Sequence, residues 1–327
     1  MTAPTDRMPP PPFDPELDAA LEALREFISP SMTLDMISAM RTGRAALRPS
    51  DDDLRRGGAV EFTELAVPGP EGAPDVSLLV CRPAGTTGLL PAVYFMHGGG
   101  MILGDNRSGI EMVLDWVQEL GVVAVSVEYR LAPEHPHPAP VEDCYAGLTW
   151  TAEHAAELGI DPERIIVAGV SAGGGLAAAL ALMARDRGGP ELAGQMLVCP
   201  MLDDRNETPS SHQMAGLGVW DRTSNETGWS ALLGDARGGP EVSPYAAPAR
   251  AEDLSGLPPA FIDVGSAETF RDEDVAYATR IWQAGGRAEL HVWPGGFHGF
   301  DQFAPHAALS QEARAARVRW LRRMLGD

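Results

Sequence analysis

The sequence predicts an α/β protein, a mostly parallel sheet flanked by helices. Three observations point there. Apolar runs at 91–96, 122–128, 165–169, 195–199, 259–264 and 288–293 alternate with helix-forming stretches, the rhythm of βαβ units. The run Ile165-Ile-Val-Ala-Gly-Val-Ser171-Ala-Gly-Gly-Gly175 puts a buried strand, a sharp turn and a helix in direct succession, since residues 176–183 are almost pure helix formers. Another apolar run, 91–96, leads straight into His97-Gly98-Gly99-Gly100.

Taken in order, residues 1–12 are polar and proline-rich, expected to be disordered, and lack the basic and apolar parts of a secretion signal. Residues 15–44 turn helical, through Leu17, Leu21, Leu24, Phe27 and Ile28, then Met32, Leu34, Ile37 and Met40, with Pro30 dividing two short helices. They read either as an amphipathic pair packed on the core or as a lid whose Met32, Met36, Met40 and Phe27 adapt to an apolar substrate. Residues 61–67 and 76–82 alternate as an antiparallel pair joined through Pro68-Gly-Pro-Glu-Gly72. Helices are expected at about 110–119, 141–157, 272–284 and 307–325.

Residues 202–240 break the rhythm, with Met214, Leu217, Trp220 and Trp229 amid polar and glycine residues. They read as an insertion. No repeat or linker interrupts the chain, so the expected organisation is one core (51–200 and 241–327) with a cap from residues 1–50 and 201–240, in which Met214 and Trp220 join the three methionines around the substrate.

Composition narrows the chemistry. A formal charge of −21 over 327 residues argues against nucleic-acid or anionic-membrane partners, which need a basic footprint. All 25 basic residues are arginine, which excludes Schiff-base, Walker-A and Ser-x-x-Lys chemistry. A catalytic serine here must use histidine as its base. Cys81, Cys144 and Cys199 lie in apolar surroundings without Cys-x-x-Cys spacing and read as reduced core residues, which makes the cytoplasm the expected compartment. His135 and His137 form a His-x-His among prolines with no third ligand at a recognisable spacing, so no metal is expected.

Gly169-Val-Ser171-Ala-Gly173 between strand and helix would hold the Ser171 hydroxyl clear of the sheet as a nucleophile; the bland alternative is a capping serine. Its base is His298, in Pro294-Gly-Gly-Phe-His298-Gly-Phe directly after a strand. Asp263, Glu268, Asp272 and Asp274 compete for the third role. Asp263 falls within a strand and Asp272 and Asp274 in a first helical turn, which leaves Glu268 in the loop. The backbone N–H groups of Gly98, Gly99, Gly100 and Ala172, with Gly99 and Gly100 preferred on the glycine loop, would receive an oxyanion. A phosphate loop, the competing reading of these glycines, would lack its lysine.

Together, His97-Gly-Gly-Gly, Tyr129-Arg-Leu-Ala-Pro-Glu134, Gly169-Val-Ser-Ala-Gly173 and Phe297-His-Gly-Phe300 resemble the hormone-sensitive-lipase-like (bacterial family IV) carboxylesterases of the α/β-hydrolase fold, the bacterial aryl and heroin-type esterases in particular. The resemblance implies eight strands, a helical cap, no cofactor, and hydrolysis of short- to medium-chain or aryl esters by Ser171, His298 and an acid. It also implies that Glu134 and Asp143 brace loops, and allows a homodimer through the last strand and helix, where Val318, Trp320 and Leu321 either meet a partner or pack on the sheet. Two positions depart from the family pattern. Val170 precedes the nucleophile, and Gly265-Ser-Ala-Glu268-Thr-Phe-Arg-Asp272 has glutamate where aspartate is usual. Two alternatives are an amide or formamide hydrolase with the same machinery, and a non-catalytic receptor like the plant gibberellin receptor, which resembles this family but lacks the histidine that His298 supplies here.

Overall fold

The structure, a computed structural model, describes residues 8–26 and 29–326; residues 1–7 of the N-terminal stretch and the apolar positions Phe27 and Ile28 lie outside the described residues. Eight strands form one sheet: β1 Val60–Val67, β2 Val76–Pro83, β3 Leu90–Met96, β4 Val123–Glu128, β5 Ile160–Val170, β6 Gly194–Val198, β7 Ala260–Gly265 and β8 Ala288–Trp293. Their spatial order is β1-β2-β4-β3-β5-β6-β7-β8. β2 runs antiparallel to both of its neighbours, and every pairing from β4 through β8 is parallel.

The helices, in chain order, are α1 Pro15–Leu24, α2 Ile37–Ala45, α3 Asp51–Arg55, α4 Ile110–Leu120, α5 Ala139–Glu153, α6 Ala155–Leu158, α7 Ala172–Arg187, α8 Pro209–Gln213, α9 Arg222–Leu233, α10 Arg271–Gln283, α11 Phe300–Phe303 and α12 Ala308–Leu325. Strand alternation sorts the core into two layers. Leu78, Val80, Tyr94, Val167, Leu197 and Ile262 face one way and pack with residues of α5, α7 and α10. Leu79, Cys81, Val93, Phe95, Ile166 and Met196 face the other way and pack with residues of α4 and α12. Val318, Trp320 and Leu321 are all buried in this second layer, where the Trp320 ring lies 5.9 Å from that of Phe261, so they pack on the sheet. Among the described residues, no helix is long and apolar enough to cross a membrane.

Two helical regions depart from the expected pattern. α3 arises from a reciprocal capping box between Ser50 and Asp53, a local signal with no apolar period behind it. Residues 202–240, expected as an insertion belonging to a helical cap but with no helix bounds assigned, hold α8 and α9; Asp221 starts α9 by accepting the N–H of Ser224 at 2.9 Å.

The N-terminal segment splits between two places. Leu17 and Leu21 of α1 are buried with Phe297, Phe300 and Ala304. Residues 30–32 are instead pinned to α9: Ser224 Oγ donates to the Pro30 carbonyl at 2.8 Å, Met32 N–H donates to Ser224 Oγ at 2.9 Å, and Thr227 Oγ1 donates to the Met32 carbonyl at 2.7 Å. Arg41 of α2 then donates to the carbonyls of Ile102 and Ala132 and pairs with Glu134 at 2.8 Å, which hangs α2 on the loops after β3 and β4. Asp143 accepts from the Arg130 backbone N–H at 3.0 Å and from its guanidinium at 2.7 and 2.8 Å.

Candidate active site

At the carboxyl end of β5 the chain turns into α7 at a single strained residue. Ser171 has φ 58° and ψ −120°, a positive-φ conformation that costs a non-glycine residue free energy unless its surroundings enforce it. They do so here. Ser171 N–H donates to the Val198 carbonyl at 2.8 Å, and its own carbonyl accepts from Met201 N–H and Gly175 N–H, both at 3.0 Å. The flanking glycines are needed for close approach: a Cβ on Gly169 would sit 2.0 Å from the Gly173 carbonyl oxygen, and one on Gly173 would sit 2.0 Å from that of Met96.

Ser171 Oγ lies 2.9 Å from His298 Nε2, and His298 Nδ1 lies 3.2 Å from Glu268 Oε1. All three residues are buried. Glu268 Oε2 also accepts the Gly265 N–H at 3.3 Å, and the Phe270 ring meets the His298 imidazole edge-on with centroids 5.1 Å apart. The other acids face elsewhere. Asp263 pairs with Arg317 at 2.9 Å, whose guanidinium also binds Asp301. Asp272 accepts the Ser210 N–H at 2.7 Å and pairs with Arg271 at 2.7 Å.

Asp274 is wholly buried, and neither of its carboxylate oxygens has a hydrogen-bond partner among the described residues. Burial, with the neighbouring Glu273 carboxylate, pushes its carboxyl well above the usual range. Burial raises Glu273 in the same way, although its Oε1 accepts the N–H groups of Leu202 and Asp203.

The glycine loop lies beside the serine, since a Cβ on Gly98 would be 3.4 Å from Ser171 Cβ. Gly99, at φ 126°, turns its carbonyl toward the N–H groups of Ile102 (3.1 Å) and Leu103 (2.9 Å). Among the described residues, the N–H groups of Gly98, Gly99 and Gly100 donate to nothing. Ala172 is the first residue of α7, where the N–H has no intrahelical acceptor. His97 supports the loop from behind. Its Nδ1 lies 2.8 Å from the Gly98 carbonyl, its ring stacks on Tyr129, and Tyr129 Oη donates to the His97 carbonyl at 2.8 Å. Burial lowers the His97 imidazole to about 4.

Of the five residues expected around the substrate, the structure brings Trp220 to this site. A Cβ on Gly100 would come 2.3 Å from Trp220 Cη2, and the indole lies 6.5 Å from the His298 ring. Met32 is buried in the same apolar cluster as Met101, Ile102 and Leu103, the residues following the glycine loop, and Met36 and Met40 are half-buried against that cluster. Met214 is buried after α8.

Three residues at the site were not anticipated: Cys199, Thr269 and Phe270. The donor atoms of Cys199, Glu268 and His298 lie within 4.8 Å of one another, and Thr269 Oγ1 donates to the Trp220 carbonyl at 2.7 Å. A signal for Cys199 existed. It directly follows β6, the strand paired with β5, at the sheet end where side chains emerge next to the serine.

Fold and elbow together define an α/β hydrolase. A family model described as the α/β-hydrolase fold matches residues 93–302. Carboxylesterase NlhH of Mycobacterium tuberculosis is 35% identical over 317 residues, covering 95% of this chain and 97% of that protein. Among solved structures, a bacterial heroin esterase superposes with a TM-score of 0.88 at 40% identity, over 96% of this chain and 98% of the other. A thermostable esterase from Pseudomonas putida gives 0.85 at 32% identity, over 96% and 98%. The chain belongs to the α/β-hydrolase family, in its hormone-sensitive-lipase-like branch.

Proposed function

We propose that this chain is a serine carboxylesterase working through an acyl-enzyme with a Ser171–His298–Glu268 triad. The observation that carries the reading is the 2.9 Å contact of His298 Nε2 with Ser171 Oγ, with Glu268 on the opposite nitrogen at 3.2 Å. The curated esterase relative of nearly full length supports the ester as substrate.

The carboxylate holds the proton on Nδ1, which leaves the Nε2 lone pair to take the serine proton. Ser171 Oγ attacks the ester carbonyl and the negative charge moves to the carbonyl oxygen. The N–H groups of Gly99, Gly100 and Ala172 receive that oxyanion, with Gly98 shaping the loop. His298 returns the proton to the departing alkoxide, and a water then repeats the sequence on the acyl-enzyme. Trp220 over the glycine loop, with Met32, Met36, Met40 and Met214 in the cap formed by residues 1–50 and 201–240, fits short- to medium-chain or aryl esters. A cytoplasmic location belongs to the same reading, supported by three free, buried thiols.

The test is hydrolysis of p-nitrophenyl esters from acetate to octanoate by wild type and Ser171→Ala. The expected result is activity in the wild type, strongest on the shorter chains, and a loss of roughly 10⁴-fold or more in the variant. Hydrolysis retained by Ser171→Ala, or a wild type active on matched formamides and silent on esters, would overturn it.

A further inference from the structure

The proposed base and acid share their neighbourhood with a thiol that the ester mechanism does not use. One donor atom each from Cys199, Glu268 and His298 lie within 4.8 Å of one another, and among the described residues this is the one histidine, cysteine and carboxylate group compact enough to surround a cation. The imidazole nitrogen on the Glu268 side is Nδ1, 3.2 Å from Oε1, close to the roughly 3.3 Å edge of a tetrahedral site with ligand bonds of about 2.0 Å. The thiol and the carboxylate also share a wall, with Gly265 and Arg317, of a void of about 10 Å³ that His298 does not line. The positive Arg317 on that wall is balanced by Asp263 and Asp301, both paired with it.

We propose that Cys199, Glu268 and His298 form an inhibitory trap for a borderline or soft divalent cation, Zn²⁺ or Cd²⁺. The inference rests on the catalytic reading above and deepens it. Thiolate, imidazole and carboxylate together suit these ions and suit Mg²⁺ or Ca²⁺ poorly. Capture exchanges the Cys199 thiol proton for the metal and releases that proton to solvent. The imidazole then coordinates through Nδ1, so its single proton must sit on Nε2. A protonated Nε2 donates to Ser171 Oγ and can no longer accept from it, and Glu268 is drawn onto the metal. The metal therefore removes the base without occupying the substrate pocket.

The experiment titrates Zn²⁺ and Cd²⁺ into the full chain and into Cys199→Ser and Cys199→Ala. Hydrolysis of p-nitrophenyl acetate and the ultraviolet thiolate-to-Cd²⁺ charge-transfer absorbance are both followed. Wild type is expected to lose kcat with KM unchanged, to recover with EDTA, and to show the absorbance band at one equivalent of Cd²⁺. Both variants should lack the band and need about 10- to 100-fold more metal for the same inhibition. The same Cd²⁺ titration of Ser171→Ala, read by absorbance alone, keeps metal binding separable from ester hydrolysis. A band there supports the trap even if the esterase reading fails. Equal metal sensitivity in wild type and the Cys199 variants, or a band that survives loss of Cys199, overturns the proposal.

Discussion

The indole of Trp220 covers Gly100 so closely that a Cβ on the glycine would lie 2.3 Å from Cη2 and 2.6 Å from Cζ2. Thr269, the residue after Glu268, holds Trp220 from the other side through its hydroxyl, 2.7 Å from the Trp220 carbonyl. Trp220, the glycine loop and the loop carrying Glu268 are thus one mechanical unit. Gly100→Ala should therefore lower kcat/KM by at least about tenfold, because the indole must move and alanine is strained at φ 63°. The double variant Gly100→Ala/Trp220→Ala should recover part of the loss. A double-mutant cycle of ester hydrolysis measures this, and strict additivity would show that the two residues do not interact.

Glu268 and Asp272 separate by function. In the proposed triad, Glu268→Gln keeps the shape but removes the charge that would stabilise the imidazolium, and kcat should fall by roughly 10³- to 10⁴-fold. Asp272→Asn loses a surface-side ion pair with Arg271 and weakens the acceptor for the Ser210 N–H. It should leave kcat within a few-fold and cost about 1 kcal/mol of stability. Paired ester kinetics and urea unfolding distinguish the two.

Acid should destabilise the glycine loop through His97. Its imidazole is lowered to about 4 in the fold, whereas the unfolded chain titrates near 6.5. As pH falls below about 6.5 the unfolded state takes up a proton that the native state refuses, so stability from this residue is present above that pH and is lost toward pH 4. The slope is at most about 1.4 kcal/mol per pH unit. Urea unfolding of wild type and His97→Gln between pH 7.5 and 4.5 should show the steeper loss in wild type.

Asp274 carries the opposite sign. Its carboxyl, raised well above the ordinary range by burial, keeps a proton in the fold that the unfolded chain releases, so the stability it contributes declines as pH rises above the unfolded carboxyl's pKa of about 3.9. Asp274→Asn removes that dependence. The variant should gain on wild type as pH rises from about 4, with a larger gap at pH 7 than at pH 5. A gap independent of pH would refute the assignment.

Most of the frame was legible in the sequence because buried parallel strands are continuous apolar runs and the elbow needs glycine at two close approaches. The turn at Ser171 and the loop of His298 were legible because glycines around each announce a special backbone. α9 was not, because Arg222-Thr-Ser-Asn-Glu-Thr-Gly-Trp has no apolar stripe and the helix depends on the Asp221 cap and on contacts with residues 30–32. Nor was the fate of Val318, Trp320 and Leu321, since an apolar helix face reads alike whether it meets a sheet or a second subunit. Cys199 and Asp274 looked like ordinary core and helix-start residues. Their character comes from neighbours distant in the chain.

The attachment of residues 30–32 to α9 has a bearing on how the protein is made. Met32 and its partner Ser224 are 192 positions apart, so during synthesis the N-terminal segment leaves the ribosome long before its binding surface exists. Through that interval Met32, buried in the finished molecule, has no native partner on α9. The contact between residues 30–32 and α9 can form only when about two-thirds of the 327-residue chain has been translated, which places the assembly of this region late.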